Sequence, residues 1–143
     1  MANIKVVFWS GTGNTQAMAE AVANGIKSAG ASAELLQFSE LTADTLASED
    51  KFALGCPAMG AEQLEEGEVE PFFTELEGKL SGKKVALFGS YGWGSGEWMD
   101  SWVERVKAAG ATVVNGNGVI ANNAPDDAAV SECESLGSAL AIA

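Results

Sequence analysis

The 143-residue sequence contains no histidine, two cysteines, three prolines and one tyrosine. Without histidine the chain has no Cys–His catalytic pair, and a zinc site is implausible. Cys56 and Cys133 are too few to build the disulfide scaffold of a small secreted domain. These absences exclude Cys–His nucleophilic catalysis and zinc chemistry.

Basic residues are also scarce in this chain. Eight Lys and Arg stand against twenty Asp and Glu, which gives a formal net charge of −12 at pH 7. That charge opposes the phosphate neutralisation on which nucleic-acid binding depends, so we exclude nucleic acid as a partner. The negative field would steer the chain toward a basic partner, although acidity can also serve solubility alone.

Long apolar runs are missing as well. A membrane span needs roughly 20 consecutive apolar residues, whereas the run at residues 4–9 is short and contains Lys5. The first residues show neither the basic start nor the long apolar stretch of a secretory signal, so we expect a cytoplasmic protein. With 47% apolar residues, the chain suits one globular domain over residues 1–143.

Short apolar segments alternate with helical patterns along the chain. The near-continuous apolar runs at residues 4–9 and 84–89 are typical of strands that are covered on both faces of a parallel sheet. Weaker strands are predicted at residues 33–38, 51–56 and 112–120. Helices are predicted between residues 14 and 30, at 71–80, between about 97 and 110, and from about 126 to the C-terminus.

This alternation predicts an α/β fold, an open doubly wound sheet of five parallel strands with right-handed crossovers. In such sheets a ligand lies beyond the carboxyl ends of the strands, where the winding reverses. The candidate site therefore consists of three loops: the first loop (residues 10–15), the second loop (55–62) and the third loop (90–96).

The first loop favours an anion. Its glycines allow successive N–H groups to converge, its polar side chains add donors, and the following helix presents its positive end. It lacks the Gly-Lys-Ser/Thr ending of a Walker loop and does not match Gly-x-Gly-x-x-Gly. The alternative is an ordinary strand-to-helix turn that uses these residues as caps. The loop reads Ser10-Gly11-Thr12-Gly13-Asn14-Thr15.

The other two loops predict a site for a planar group. Trp93, flanked by glycines, is interpreted as a stacking platform, the alternative being a side chain that covers the domain edge. Met59 can pack against a ring, and Gly60 suits a turn with positive φ. Trp98 and Trp102 lie four residues apart on a predicted helix and are interpreted as core.

Together these residues resemble the flavodoxins, specifically the short-chain type of anaerobic bacteria. The resemblance covers essentially the whole chain and implies the strand order 2-1-3-4-5 with helices on both faces. It implies non-covalently bound FMN as the cofactor. The motifs that carry it are residues 10–15, Gly55-Cys56-Pro57-Ala58-Met59-Gly60, Glu70-Pro71-Phe72 and residues 87–94, which read LFGSYGWG.

The resemblance also assigns roles to residues. It places the FMN phosphate in the first loop near Ser90, the flavin between Trp93 and Met59, and Glu62 with nearby N–H groups at the pyrimidine edge. It implies that the Gly60–Ala61 peptide turns its carbonyl toward N5 when the flavin takes up its first electron. The implied cofactor-binding set is Ser10, Gly11, Thr12, Gly13, Asn14, Thr15, Pro57, Ala58, Met59, Gly60, Ala61, Glu62, Ser90, Tyr91, Gly92, Trp93 and Gly94.

The implied function is a low-potential one-electron carrier that cycles FMN between the neutral semiquinone and the anionic hydroquinone, and not an enzyme. Electrostatics agrees, because two like charges about 10 Å apart repel by roughly 1.7 kcal/mol at a dielectric constant near 20. An anionic flavin is therefore disfavoured in a chain of charge −12.

The acidic residues 62–70, with Glu97 and Asp100, are expected to dock a monomeric carrier on basic-faced reductases and on oxidoreductases that also use ferredoxin. An alternative with the same fold is a flavodoxin-like NAD(P)H:quinone or FMN reductase, which needs a nicotinamide site and an oligomer interface. A response-regulator receiver domain would need an acidic pair after strand one and an Asp after strand three. The chain has Trp9-Ser10 and Cys56-Pro57 there.

Overall fold

The computed structural model describes residues 3–11, 13–59, 63–92 and 96–143. Strands and helices alternate from end to end, as the apolar pattern predicts. The strands are β1 (Asn3–Phe8), β2 (Ser32–Gln37), β3 (Lys51–Gly55), β4 (Lys84–Tyr91), β5 (Thr112–Val113) and β6 (Val119–Asn122). The helices are α1 (Asn14–Ser28), α2 (Ala43–Ala47), α3 (Val69–Glu77), α4 (Glu97–Ala108) and α5 (Asp127–Ile142).

All strand pairs of the sheet are parallel. The order is β2-β1-β3-β4-β5, and β6 pairs with β4 beyond the end of β5. In the register, Val6 of β1 lies opposite Leu35 of β2 and Ala53 of β3. The predicted order 2-1-3-4-5 is confirmed, and the winding reverses between β1 and β3, which places the carboxyl ends of these strands beside one possible ligand site.

Two hydrophobic cores lie on opposite faces of the sheet, because successive strand residues point to opposite sides. Val7 and Leu54 face a core that includes side chains of α2, α3 and α4. Val6, Phe8 and Ala53 face a second core built with α1 and α5. The prediction of helices on both faces is confirmed.

Helices α1 and α5 approach each other closely at two glycines. A Cβ at Gly25 would overlap the backbone carbonyl of Glu134, and a Cβ at Gly137 would overlap that of Val22. Glycine is therefore required at both positions by the spacing of the two helices. None of the helices in the described part of the chain combines the length and the apolar character that a membrane span requires.

The predicted fifth strand at residues 112–120 is wrong in its middle. A 3-10 turn at Val114–Gly116 separates β5 from β6, with Asn115 at φ 64° and Gly116 at φ 80°. Both values lie in the left-handed region, which a continuous strand cannot contain. Both short strands still pair with β4, so they form one interrupted edge of the sheet.

Two elements after β2 were not predicted from the sequence. Strand β2 ends at Gln37, where a capping box between Gln37 and Glu40 starts a 3-10 turn. Helix α2 follows, and the Thr42 side chain caps it by accepting a hydrogen bond from the backbone N–H of Thr45. Helix α3 begins at Val69, two residues before the predicted start, and contains Pro71 in its first turn, as expected.

Candidate functional site

A cleft of about 290 Å³ lies at the carboxyl ends of β1, β3 and β4. The three predicted loops supply most of its walls, although they are far apart in the sequence. Their meeting follows from the strand order, because β1, β3 and β4 are neighbours in the sheet. The cleft is lined by Trp9, Gly11, Asn14, Pro57, Ala58, Met59, Ser90, Tyr91, Gly92 and Asn123.

The first loop presents hydrogen-bond donors at the start of α1. Ser10 Oγ accepts a hydrogen bond from the backbone N–H of Gly13 at 3.0 Å, and Gly13 has φ 95°. The first turn of α1 contains no acidic residue, and the N-cap residue provides no side-chain cap. Within this turn, no carboxylate therefore competes for the leading N–H groups or for the positive end of the helix.

Two buried hydroxyls connect the first and third loops. Thr15 and Ser90 are 1% and 5% exposed, and their side-chain oxygens lie 3.1 Å apart in a hydrogen bond. The carbonyl of Ser90 accepts a hydrogen bond from the backbone N–H of Ala58 at 3.0 Å. Ser90, the penultimate residue of β4, therefore contacts both other loops.

The second loop is fixed at its start by buried groups around Cys56. The Cys56 N–H donates to the carbonyl of Phe88 at 3.1 Å, and the Trp98 indole Nε1–H donates to the carbonyl of Cys56 at 3.1 Å. Burial raises the pKa of the Cys56 thiol to about 12, which leaves it protonated at neutral pH. Cys56 is therefore a structural residue and not a reactive thiol.

The second loop carries an exposed thioether toward the cleft. Met59 is 37% exposed, one of few large apolar side chains with this exposure. Met59 and Gln63 exchange two backbone N–H···O hydrogen bonds, each of 2.9 Å. This pair fixes the two ends of the segment that contains residues 60–62.

Asn123, which directly follows β6, also lines the cleft. The backbone N–H of Asn123 donates to the carbonyl of Tyr91 at 2.7 Å, and Asn123 has φ 58°. The Tyr91 ring packs at a tilt against Trp98, with ring centroids 5.7 Å apart. Tyr91 is thus held from both sides at the end of β4.

The structure brings together most of the predicted site residues that it describes. Ser10, Gly13 and Thr15 belong to the same loop but do not line the cleft. Thr12, Gly60, Ala61, Glu62, Trp93 and Gly94 lie outside the described residues.

Trp9 and Asn123 line the cleft, and neither belongs to the predicted cofactor-binding set, because the sequence alone does not decide whether Asn122 and Asn123 contact a ligand. Trp9 had been assigned to the first strand, which ends one residue earlier at Phe8. Asn123 follows the last strand and adopts the left-handed conformation, which asparagine tolerates.

Comparison with known proteins identifies the family. The flavodoxin family model matches residues 6–135. The chain is 54% identical to a flavodoxin of Megasphaera elsdenii over 96% of this chain and 98% of the relative. It is 49% identical to a flavodoxin of Clostridium beijerinckii over 96% of this chain and 99% of that relative. The chain belongs to the flavodoxin family.

Solved structures agree with this assignment. The solution structure of two-electron reduced Megasphaera elsdenii flavodoxin has a TM-score of 0.89 and 54% identity, and the match covers 98% of this chain and 99% of that one. A flavodoxin from the domain Archaea has a TM-score of 0.83 and 33% identity, with 98% and 96% coverage. The resemblance predicted from the motifs is confirmed.

Membership settles the class of function. Flavodoxins are electron-transfer proteins that use FMN, cycled between the semiquinone and the hydroquinone, and they are not enzymes. The predictions of FMN as cofactor and of a one-electron carrier are therefore confirmed. The NAD(P)H-dependent reductase alternative is not supported.

The described residues fit FMN at both ends of the cleft. An uncharged donor set at the start of α1 suits a phosphate, since the first turn of this helix contains no acidic residue. Apolar and aromatic groups, among them Met59, Trp9 and Tyr91, suit the ring system at the other end.

Two of the acidic residues that follow the second loop, Glu65 and Glu70, are held by hydrogen bonds within the chain. The Glu65 carboxylate accepts hydrogen bonds from three backbone N–H groups at the start of α3. Glu70 forms a bidentate pair with Arg105, at 2.8 and 2.9 Å, and its pKa is lowered mainly by that hydrogen bonding. Glu65 and Glu70 are therefore half-buried and engaged by hydrogen bonds, whereas Glu66 and Glu68 are exposed.

Proposed function

We propose that the cleft between the three loops is the FMN site of this electron carrier. The phosphate would lie at the first loop, and the ring system would lie between the second and third loops. The observation that carries this assignment is the convergence of ten lining residues around one cleft at the switch point of the sheet. When bound, FMN supplies the one-electron chemistry, and the protein supplies binding, orientation and electrostatics.

At the phosphate end, this chain uses neutral donors and no cation. Within the hydrogen bond between Thr15 and Ser90, only one of the two hydroxyls donates to the other. The second hydroxyl hydrogen remains available to an acceptor, which a phosphate oxygen would provide. Ser10 contributes indirectly, because its hydroxyl holds the N–H of Gly13 and thereby the curvature of the loop.

At the ring end, Met59 offers an exposed, polarisable side chain to one face of the flavin. Trp93 on the other face, Gly60 and Ala61 at N5, and Glu62 at the pyrimidine edge stay predictions from the sequence. The remaining members of the proposed set are Gly11, Thr12, Gly13, Asn14, Pro57, Ala58, Tyr91, Gly92 and Gly94.

Binding of FMN and of riboflavin to the flavin-free protein, measured by quenching of flavin fluorescence, tests this assignment. Ser10→Ala should weaken FMN at least tenfold and riboflavin little, because only FMN carries the phosphate. Met59→Ala should weaken both ligands by a similar factor. Leu35→Ala, which truncates another exposed apolar side chain away from the cleft, is the matched control. Equal effects of Ser10→Ala on both ligands would contradict the placement of the phosphate.

We further propose that this chain works as a cytoplasmic monomer, one domain over residues 1–143, and docks on redox proteins with a basic face. The exposed carboxylates of Glu66, Glu68 and Asp100 support this surface. Arg105 lines a cavity together with Glu66, and its positive charge is already neutralised by Glu70 and Glu77.

The docking surface is tested by electron-transfer rates to a basic redox protein at increasing salt concentration. A double variant of Glu66→Gln and Glu68→Gln should slow transfer at low salt and flatten the salt dependence. A double variant of Glu132→Gln and Glu134→Gln on α5 makes the same change in net charge on the helix pair at the other face. Equal slowing by both pairs would show that only net charge matters and would refute a localised surface.

A further inference from the structure

Glu65 lies in the short segment between the second loop and α3. Its Oε2 accepts a hydrogen bond from the N–H of Gly67 at 2.8 Å. Its Oε1 accepts from the N–H groups of Glu68 at 2.7 Å and Val69 at 3.1 Å. One carboxylate thus satisfies three backbone donors at the start of a helix whose N-cap residue, Glu68, provides no side-chain cap.

The backbone of Glu65 is fixed as well. Its N–H donates to Cys56 Sγ at 3.5 Å, which joins it to the buried start of the second loop. Its carbonyl accepts from the N–H of Glu70 at 2.9 Å. The backbone of Glu65 therefore links Cys56, at the start of the second loop, to Glu70 in α3.

From Glu65 the chain leads directly to the cleft. Leu64 is buried, and Gln63 forms the paired backbone hydrogen bonds with Met59 described above. A displacement of Glu65 would therefore be transmitted over two residues to Met59 and to the segment of residues 60–62.

We propose that Glu65 is a positioning residue for the flavin: by capping α3 it holds Gln63 and Met59 in place and so sets FMN affinity and reduction potential. The inference rests on the proposed placement of the flavin against Met59. It differs from a docking role, because both carboxylate oxygens already bind the backbone of the same chain.

The cap needs a carboxylate and not merely a polar side chain. Glutamine keeps one acceptor oxygen but places an NH2 group, a donor, against the remaining N–H groups. Although burial is the largest influence on Glu65 and raises its pKa, the three backbone N–H groups together hold the pKa below its usual range. The side chain is therefore charged at neutral pH, as a cap at the positive end of a helix requires.

The test compares Glu65→Gln with two matched controls. Glu66→Gln removes the same charge from the next residue, whose carboxylate makes no hydrogen bond within the described part of the chain. Thr42→Ala removes a helix cap of α2, away from the cleft. Amide hydrogen exchange of the flavin-free protein, the dissociation constant of FMN and the potentials of both one-electron couples are measured for each.

In Glu65→Gln, we expect exchange at residues 63 and 67–69 to accelerate at least tenfold, and FMN to bind at least tenfold more weakly. We also expect the ratio of the affinities for two flavin oxidation states to change about tenfold. This change shifts the potential of the corresponding one-electron couple by about 59 mV. Glu66→Gln should leave hydrogen exchange and FMN affinity within threefold, and it should shift the potentials less than Glu65→Gln does, because it removes only the charge. Thr42→Ala should lower stability without affecting either potential.

Glu65→Asp separates the effect of the charge from the effect of side-chain length, because it keeps the charge and shortens the side chain by one methylene. An intermediate loss of affinity supports positioning, whereas full wild-type behaviour in Glu65→Asp assigns the effect to charge and overturns the proposal. Equal shifts in Glu65→Gln and Glu66→Gln overturn it too, as does faster exchange with unchanged FMN binding and potentials. Failure of the wild-type protein to bind FMN would instead refute the proposed function itself.

Discussion

Two buried tryptophans on one helix give opposite predictions for the same substitution. Trp98 and Trp102 lie on α4, and each is 1% exposed. The indole N–H of Trp98 donates to the carbonyl of Cys56. The indole nitrogen of Trp102 is buried without a hydrogen-bond partner among the described residues. Trp98→Phe removes an N–H that donates a hydrogen bond. Trp102→Phe removes a buried N–H that has no partner among the described residues.

The expected free energies follow from these environments. Each Trp→Phe change removes about 40 Å³ of side chain, which costs roughly 1 kcal/mol as a cavity. Trp98→Phe also leaves the Cys56 carbonyl without this donor, at about 1–3 kcal/mol, whereas Trp102→Phe removes a penalty of the same size. Trp98→Phe should therefore destabilise by about 2–4 kcal/mol, and Trp102→Phe should lie between neutral and about 2 kcal/mol stabilising.

The measurement is urea unfolding of the flavin-free protein, because bound FMN would add its own stabilisation of the native state. By thermal unfolding, the two variants should differ by at least about 6 °C, since about 3 °C corresponds to 1 kcal/mol at this chain length. Equal losses in both variants, or a larger loss in Trp102→Phe, would refute the assignment of the two indole N–H groups.

Three further outcomes are expected. Gly137→Ala should destabilise by about 3 kcal/mol or more in urea unfolding, because its Cβ would overlap a carbonyl of α1. Thr15→Val and Ser90→Ala should each cost about 1–3 kcal/mol by leaving the other hydroxyl unpaired, and the double variant should cost less than their sum. The hydrogen bond from Arg105 lowers the pKa of Glu70. The stabilisation of the folded state by this pair is therefore complete above the ordinary pKa of 4.5 and is lost as pH falls. The difference in stability between wild type and Glu70→Gln should therefore shrink as the pH falls below 4.5, and a constant difference would contradict the pairing.

Most of the fold follows from local signals in the sequence. Strands β1, β3 and β4 are apolar runs buried on both faces, and the long helices show apolar residues at helical spacing. Helix α2 escaped prediction because five residues are too few for a periodic pattern. The break at residues 114–118 has a signal in Asn115, Gly116 and Gly118, which separate the apolar pairs at residues 113–114 and 119–120.

The location of the cleft was also predictable, because strand order alone brings the three loops together. Trp9 was missed because its position one residue beyond β1 cannot be distinguished by composition from the strand itself. Within the acidic run at residues 65–70, a single sequence contains no sign of which carboxylate will meet a helix end or Arg105.

The contacts that shape the site connect residues far apart in the chain, and this explains why sequence patterns locate the cleft but do not define it. Trp98 reaches the carbonyl of Cys56, 42 residues earlier, and Thr15 reaches Ser90, 75 residues later. Such contacts depend on the spacing of α1 and α4 from the sheet, which is set by packing in two cores. With the flavin placed as proposed, we expect a change at Trp98 or Glu65 to act on it through the geometry of the second loop. We therefore expect the redox behaviour of the carrier to depend on side chains behind the cleft as well as on those that line it.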